Sequence, residues 1–183
     1  MRVITGSARG RRLKTLEGGD VVRPTTDKVK EAMFSIVHFE LENAVVLDAF
    51  AGSGQLGIEA LSRGAQKAYF LDESKNAAAI VKENLMTTGL FDRAVVLNTD
   101  VFSFVGAAKE TFDIVFLDPP YKKGLTQKLL PMLENCCKEN ALVVCETDYT
   151  EELPETAGAL CRLREYKYSK TKLTTYRKQE ETV

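Results

Sequence analysis

The sequence predicts an α/β fold, with helices on both faces of a mostly parallel sheet and an antiparallel C-terminal strand. Three observations lead there. From residue 44 to residue 147, short apolar β-branched runs alternate with helical stretches, the rhythm of strand–helix–strand units. Those runs are apolar almost throughout, as strands covered on both faces must be. The first run passes through a glycine loop into a helix, the turn that opens many parallel sheets. A chain of 183 residues is expected to form one domain with a core that needs no staples. A hairpin and helix over 1–40 would precede a core over 41–183.

Each element has a local cause. Residues 2–5 and 12–16 flank Gly6-Ser7-Ala8-Arg9-Gly10 and predict a short hairpin tipped with arginines. Arg23-Pro24-Thr25-Thr26-Asp27 then starts a helix, because a Thr/Asp run after Pro supplies a cap; Val29, Met33, Phe34 and Val37 give it one apolar face. Strands are expected over 44–48, 68–72, 94–97, 114–118 and 142–146. Helices are expected over 55–62, 76–86, 102–109 and 125–137, with Ser74 as cap and Gly89 as stop for the second. Runs over 160–168 and 172–176 are joined by only Ser169-Lys170-Thr171, so they pair antiparallel.

Composition excludes several classes. With 44% hydrophobic and 28% charged residues the chain reads as an ordinary soluble protein, and no apolar run has the length of a bilayer span. Met1-Arg2-Val3-Ile4-Thr5-Gly6 lacks the features of a signal peptide, so a cytoplasmic protein without a membrane partner is expected. Cys136, Cys137, Cys145 and Cys161 show no C-x-x-C spacing and His38 is the one histidine, so no metal site is expected. A net charge of -1 does not suit a general nucleic-acid coat. The charge is uneven, however. Arg2, Arg9, Arg11, Arg12, Lys14, Arg23, Lys28 and Lys30 crowd the start, and Arg162, Arg164, Lys167, Lys170, Lys172, Arg177 and Lys178 the end. If the two sets met in space they would form a phosphate-binding footprint.

Two motifs carry chemistry. Gly52-Ser53-Gly54-Gln55-Leu56-Gly57 fits G-x-G-x-x-G, and Asp72 ends the next strand where a ribose would be held, so a nicotinamide dinucleotide is one reading. Asp48 opposes it, since an anion just before the glycines repels a pyrophosphate but suits an ammonium group. Asp100 follows the third strand and can accept from an adenine amine, and Asp118 ends the fourth. Asp118-Pro119-Pro120-Tyr121 is the second motif. The two prolines keep this stretch out of a helix and leave carbonyls to accept hydrogen bonds. Asp118 and the Pro119 carbonyl can take the two N–H groups of an exocyclic amine while Tyr121 stacks on the ring that bears it.

The glycine loop and the four acidic strand ends resemble the Rossmann-like class I methyltransferases that use S-adenosylmethionine. The resemblance implies that Asp48 and the loop of Phe50, Ala51, Gly52, Ser53 and Gly54 serve the methionine end, Asp72 beside Glu73 the ribose, and Asp100 with the Val101 backbone the adenine. Asp118, Pro119, Pro120 and Tyr121 then become the catalytic clamp. That clamp alone leaves adenine N6, guanine N2 and glutamine N5 open as acceptors. The stretches Thr5-Gly6-Ser7-Ala8-Arg9-Gly10-Arg11-Arg12-Leu13 and Arg23-Pro24-Thr25-Thr26-Asp27-Lys28, with Tyr168-Ser169-Lys170-Thr171 onward to Arg177, resemble the bacterial small-subunit ribosomal RNA guanine-N2 methyltransferases. This likeness spans essentially the whole chain. It implies a guanine of 16S rRNA methylated within the 30S subunit or its assembly intermediate, near ribosomal proteins, by a monomer. Arg9, Arg11, Arg12, Arg23, Thr25 and Lys28 would contact the RNA. Asp72 stands where many relatives carry Glu, and Gln55 is given no role. An adenine-N6 methyltransferase on DNA or RNA, or a non-catalytic ribosome-assembly protein of the same fold, remain alternatives.

Overall fold

In the strand β2 (Lys67–Asp72), Ala68 and Phe70 face one apolar cluster and Tyr69 and Leu71 the other, all of them buried. The same alternation runs through β1 (Val45–Asp48) and through β4 (Phe112–Leu117) from Ile114 onward, past a register shift between Phe112 and Ile114. Period-two packing on two faces makes each strand apolar throughout and fixes its register, since a slip of one residue would exchange the faces. The computed structural model describes residues 1–16, 26–121 and 123–179.

The sheet has eight strands in the order β3-β2-β1-β4-β5-β8-β7-β6, completed by β3 (Ala94–Asn98), β5 (Cys137–Asp148), β6 (Thr156–Ala157), β7 (Leu160–Tyr168) and β8 (Thr171–Lys178). β3, β2, β1, β4 and β5 run parallel, whereas β8, β7 and β6 pair antiparallel. This is the mostly parallel sheet with an antiparallel C-terminal edge that the sequence predicts. Chain order reverses between β1 and β4, which opens a crevice at the carboxyl ends of those strands.

Helices α1 (Asp27–Ile36), α2 (Gln55–Ser62) and α3 (Lys75–Thr88) pack on one face, where Phe34, Ile58, Val81 and Leu85 share a cluster with Phe70 and Phe116. On the other face, α4 (Val101–Ala107) and α5 (Leu125–Leu129) bury Val101, Val105 and Leu129 against Leu47 and Tyr69. The caps act as predicted: Thr26 Oγ1 accepts from Val29 N, Ser74 Oγ accepts from Ala77 N, and Gly89 ends α3 at φ 73°.

One helix differs from the sequence reading. The helix expected over 125–137 stops at Leu129 and continues as a 3-10 helix over Leu130–Asn135, after which Cys137 opens β5. Pro131 is the reason: without an N–H it interrupts the α-helical ladder. The hairpin expected near the N-terminus forms: Arg2 bridges Arg12, Val3 N–H donates to the Arg11 carbonyl at 2.9 Å, Gly10 N–H to the Val3 carbonyl at 2.9 Å and Leu13 N–H to the Met1 carbonyl at 3.1 Å. Other backbone groups of the hairpin bond to α2. Ile4 and Thr5 N–H donate to the Glu59 carboxylate at 2.8 and 2.9 Å, Ser7 N–H to the Ser62 carbonyl at 2.8 Å, and Ala8 N–H to Ser62 Oγ at 3.0 Å. The hairpin is stitched both to itself and to α2.

No helix among the described residues is long and apolar enough to cross a membrane.

Candidate active site

The parallel strands bring Asp48, Asp72, Asp100 and Asp118 to one edge of the sheet, because β1 and β2 end on the first two and the others lie just beyond β3 and β4. A cavity of about 320 Å³ opens there. Asp72, Glu73, Asp100, Asp118, Phe50, Gly52, Val101 and Pro120 line it together. Asp48, Ala51, Ser53, Gly54, Pro119 and Tyr121 do not.

The loop between β1 and α2 is folded onto the end of β2. Asp72 Oδ2 accepts from Gly52 N at 2.9 Å and Oδ1 from Ser74 N at 2.8 Å, while the Leu71 carbonyl accepts from Ala51 N at 2.8 Å. One carboxylate therefore sets both the glycine loop and the start of α3. Gly54 turns the chain into α2 at φ 80°, the left-handed region that favours glycine. Gly57 has another reason: a Cβ there would lie 2.3 Å from the Phe70 ring, so α2 approaches β2 only because that side chain is absent.

Asp48 is placed differently from its expected contact with a ligand. Its carboxylate is 1% exposed and accepts from Gly57 N at 2.9 Å, one layer beneath the cavity wall. Burial pushes its pKa up to about 7, against the opposing pull of the Gly57 N–H. Asp100 behaves in the opposite way. It caps α4, and the Ser103 N–H at 2.8 Å holds its carboxyl below the ordinary range, so it stays anionic at the cavity mouth.

Asp118-Pro119-Pro120-Tyr121 follows β4 directly. Tyr121 is tethered: its hydroxyl donates to Glu146 Oε1 at 2.8 Å and lies 3.1 Å from Thr171 Oγ1. Burial first, and the Glu146 carboxylate second, push the phenol well above its usual pKa, so Tyr121 stays protonated at neutral pH.

The cavity lining is acidic, with Lys123 its one cation among the described residues. That charge balance suits a ligand carrying positive charge and no phosphate, as S-adenosylmethionine does, and it disfavours a dinucleotide. Leu16, Thr99, Phe102, Lys123 and Leu125 also line the cavity, and the sequence reading passed over them. Phe102 and Leu125 stand at helix starts beside the acidic motifs, a signal available in the sequence. Leu16 had none, since only folding carries the N-terminal segment to this edge.

The two basic sets differ. Arg9, Arg11, Arg12 and Lys28 are exposed and form no ion pair among the described residues. Arg23 and Thr25 lie outside the described residues. At the C-terminus, by contrast, Arg177 grips Glu40 through two bonds at 2.6 and 2.9 Å, Lys172 pairs with Glu165 at 3.0 Å, Lys178 with Glu139 at 3.3 Å, and Arg162 with Glu155 at 3.2 Å. Most of that charge is spent inside the fold. Four of the seven C-terminal cations are thereby matched by glutamates, as Lys14 and Lys30 of the N-terminal set are by Glu83 and Glu59.

Among the described residues, no group of three or more His, Cys, Asp or Glu side chains is arranged to hold a metal ion.

Residues 1–177 match the family described as Conserved hypothetical protein 95. The chain is 43% identical to a Bacillus subtilis protein provisionally named as an rRNA methyltransferase, over 98% of this chain and 100% of that one. It is 39% identical to the Ribosomal RNA small subunit methyltransferase D of Haemophilus influenzae, over 84% of this chain and 81% of that one. A solved Escherichia coli structure, provisionally named as a methyltransferase, superposes with a TM-score of 0.87 at 32% identity, covering 98% of each chain. The chain belongs to the Conserved hypothetical protein 95 family, together with the small-subunit ribosomal RNA methyltransferases D.

Proposed function

We propose that this chain transfers a methyl group from S-adenosylmethionine to the exocyclic N2 amine of a guanine in 16S rRNA, within the 30S subunit or an assembly intermediate of it. It is an S-adenosylmethionine-dependent rRNA methyltransferase, as its small-subunit relatives are named. The observation that carries the reading is the meeting of Asp118 and Pro120 with Asp72 and Asp100 around one acidic cavity.

When bound, the cofactor supplies an electrophilic methyl group on a sulfonium. On this reading Asp72 and Glu73 serve the ribose hydroxyls, Asp100 with Val101 the adenine, and Phe50 with Gly52 the methionine end; the support is that all six line the one cavity. The buried Asp48 supports that end through Gly57. An amine conjugated to a purine is a poor nucleophile, because its lone pair is delocalised. Accepting its two N–H bonds at Asp118 and the Pro119 carbonyl localises that lone pair and aims it. Asp118 is also placed to receive the proton lost after transfer. Tyr121, fixed through Glu146 and Thr171, offers a face on which an extruded base stacks. Arg9, Arg11, Arg12 and Lys28 supply phosphate contacts that orient the RNA without reading its sequence. Their small number fits a monomer that docks against ribosomal proteins as well as RNA.

The test is incubation with labelled cofactor and 30S particles from a strain lacking this protein, followed by nucleoside analysis. N2-methylguanosine is expected, with much weaker transfer to deproteinised 16S rRNA. Methyladenosine would select the adenine-N6 alternative, and equal transfer to bare RNA would remove the 30S requirement.

A further inference from the structure

The amide of Asn84 is 1% exposed on α3 and touches two parts of the molecule far apart in sequence. Its Oδ1 accepts from Lys14 N at 2.8 Å, and its Nδ2 donates to the Lys14 carbonyl at 3.0 Å and to the Ser53 carbonyl at 2.9 Å. Toward Lys14 this side chain behaves as a strand neighbour would, pairing both backbone groups of one residue. Toward Ser53 it holds the glycine loop. The residues next to these contacts converge on the cavity: Leu16, two beyond Lys14, and Gly52, one before Ser53, both line it.

We infer that Asn84 is a positioning residue that makes occupancy of the cofactor cavity and docking of the N-terminal segment mutually dependent. Besides the Ser62 contacts of Ser7 and Ala8, the segment is attached at its two ends. Glu59 holds Ile4 and Thr5 firmly at its start, with Lys30 and Arg63 on the same buried carboxylate. Asn84 holds its far end, beside an exposed Lys14–Glu83 ion pair of the kind that contributes little. A ligand contacting both the Gly52 and the Leu16 walls stabilises the docked segment, and by reciprocity a docked segment binds that ligand more tightly. Arg9, Arg11 and Arg12 lie between the Ser62 and Asn84 contacts, so the Asn84 contact bears on the C-terminal side of that stretch. This inference rests on the reading of the cavity as the S-adenosylmethionine site and of the segment as the RNA-facing one.

S-adenosylhomocysteine is the probe. In the unaltered protein, hydrogen exchange of the peptide over 12–16 is expected to slow several-fold when S-adenosylhomocysteine is added. In Asn84→Ala, and in Asn84→Asp, which keeps the acceptor and loses both donors, that added protection is expected to vanish and the dissociation constant by calorimetry to rise about tenfold. Glu83→Ala, on the same helical turn, should leave both unchanged. Urea unfolding separates these effects from lost stability, and the exchange measurement on the unaltered protein decides the matter even if the variants fold poorly. Unchanged exchange over 12–16 on adding S-adenosylhomocysteine, or wild-type affinity and protection in folded Asn84→Ala, overturns the inference. Failure of the unaltered protein to bind S-adenosylhomocysteine refutes the cofactor reading instead.

Discussion

Replacing Asp48 by asparagine separates a buried carboxyl from an ordinary one. The side chain is 1% exposed, accepts one N–H from Gly57 at 2.9 Å, and has its pKa raised by burial from 3.8 to about 7. Between those values the folded protein binds a proton that the unfolded chain has released. Stability from this group is therefore fully present below about pH 4 and is lost as pH rises through about 7. At ~1.4 kcal/mol for each tenfold change, the loss reaches about 4 kcal/mol by pH 8, of which about 2–3 kcal/mol falls between pH 5 and pH 8. Asparagine still accepts the Gly57 N–H but cannot ionise. Its own N–H groups will cost about 1–3 kcal/mol at every pH if unpaired, so the slope and not the offset is diagnostic. Urea unfolding of both proteins at several pH values measures it. The wild type should lose about 2–3 kcal/mol relative to Asp48→Asn between pH 5 and pH 8. A difference constant to within about 0.5 kcal/mol would refute the burial argument, since the two curves must diverge if Asp48 titrates near neutrality. If Asp48 also senses the cofactor's ammonium group, saturating S-adenosylhomocysteine should flatten the wild-type slope.

Asp118→Ala should lower turnover by at least about two orders of magnitude, with little change in cofactor affinity, by single-turnover assay and calorimetry. Near-normal turnover would remove Asp118 from the chemistry. Asp72→Ala should do the reverse, since it releases Gly52 and Ser74 N–H as well as the ligand; an unchanged dissociation constant for S-adenosylhomocysteine would count against it. Arg11→Ala with Arg12→Ala should weaken RNA binding and lower the slope of log affinity against log salt by about 1 to 2, whereas Arg177→Ala, whose charge is matched by Glu40, should change stability and leave that slope alone. Gly57→Ala sets a methyl group 2.3 Å from the Phe70 ring position, and should cost about 1–3 kcal/mol in urea unfolding.

Much of the fold was legible because its signals are local. The apolar runs of β1, β2 and β4 announce strands covered on both faces, and Ser74 and Gly89 mark α3 at both ends. Where the reading failed, either a local signal was overruled or a distant partner intervened. Apolar spacing over 125–137 suggested one helix, but Pro131 denies it a donor and the chain leaves for β5. Residues 2–16 carry the marks of a hairpin and form one, but no local signal shows that Glu59 and Ser62 take the N–H groups of Ile4, Thr5, Ser7 and Ala8. The masses of charge at both termini looked alike, and only Glu40, Glu139, Glu155 and Glu165 distinguish them.

The acidic edge follows from chain order alone: parallel strands joined by crossover helices must all end on the same side, so aspartates after successive strands gather there whatever the details of packing. Burial and pairing are another matter, because they depend on contacts between residues distant in the chain. Asp48 and Asp72 look equivalent as strand ends, yet α2 folds over the first and leaves the second at the cavity wall. Arg12 and Arg177 are equal cations until a glutamate 137 residues away meets one of them. Asn84 is one polar residue on a helix until Lys14 and Ser53 arrive on either side of its amide.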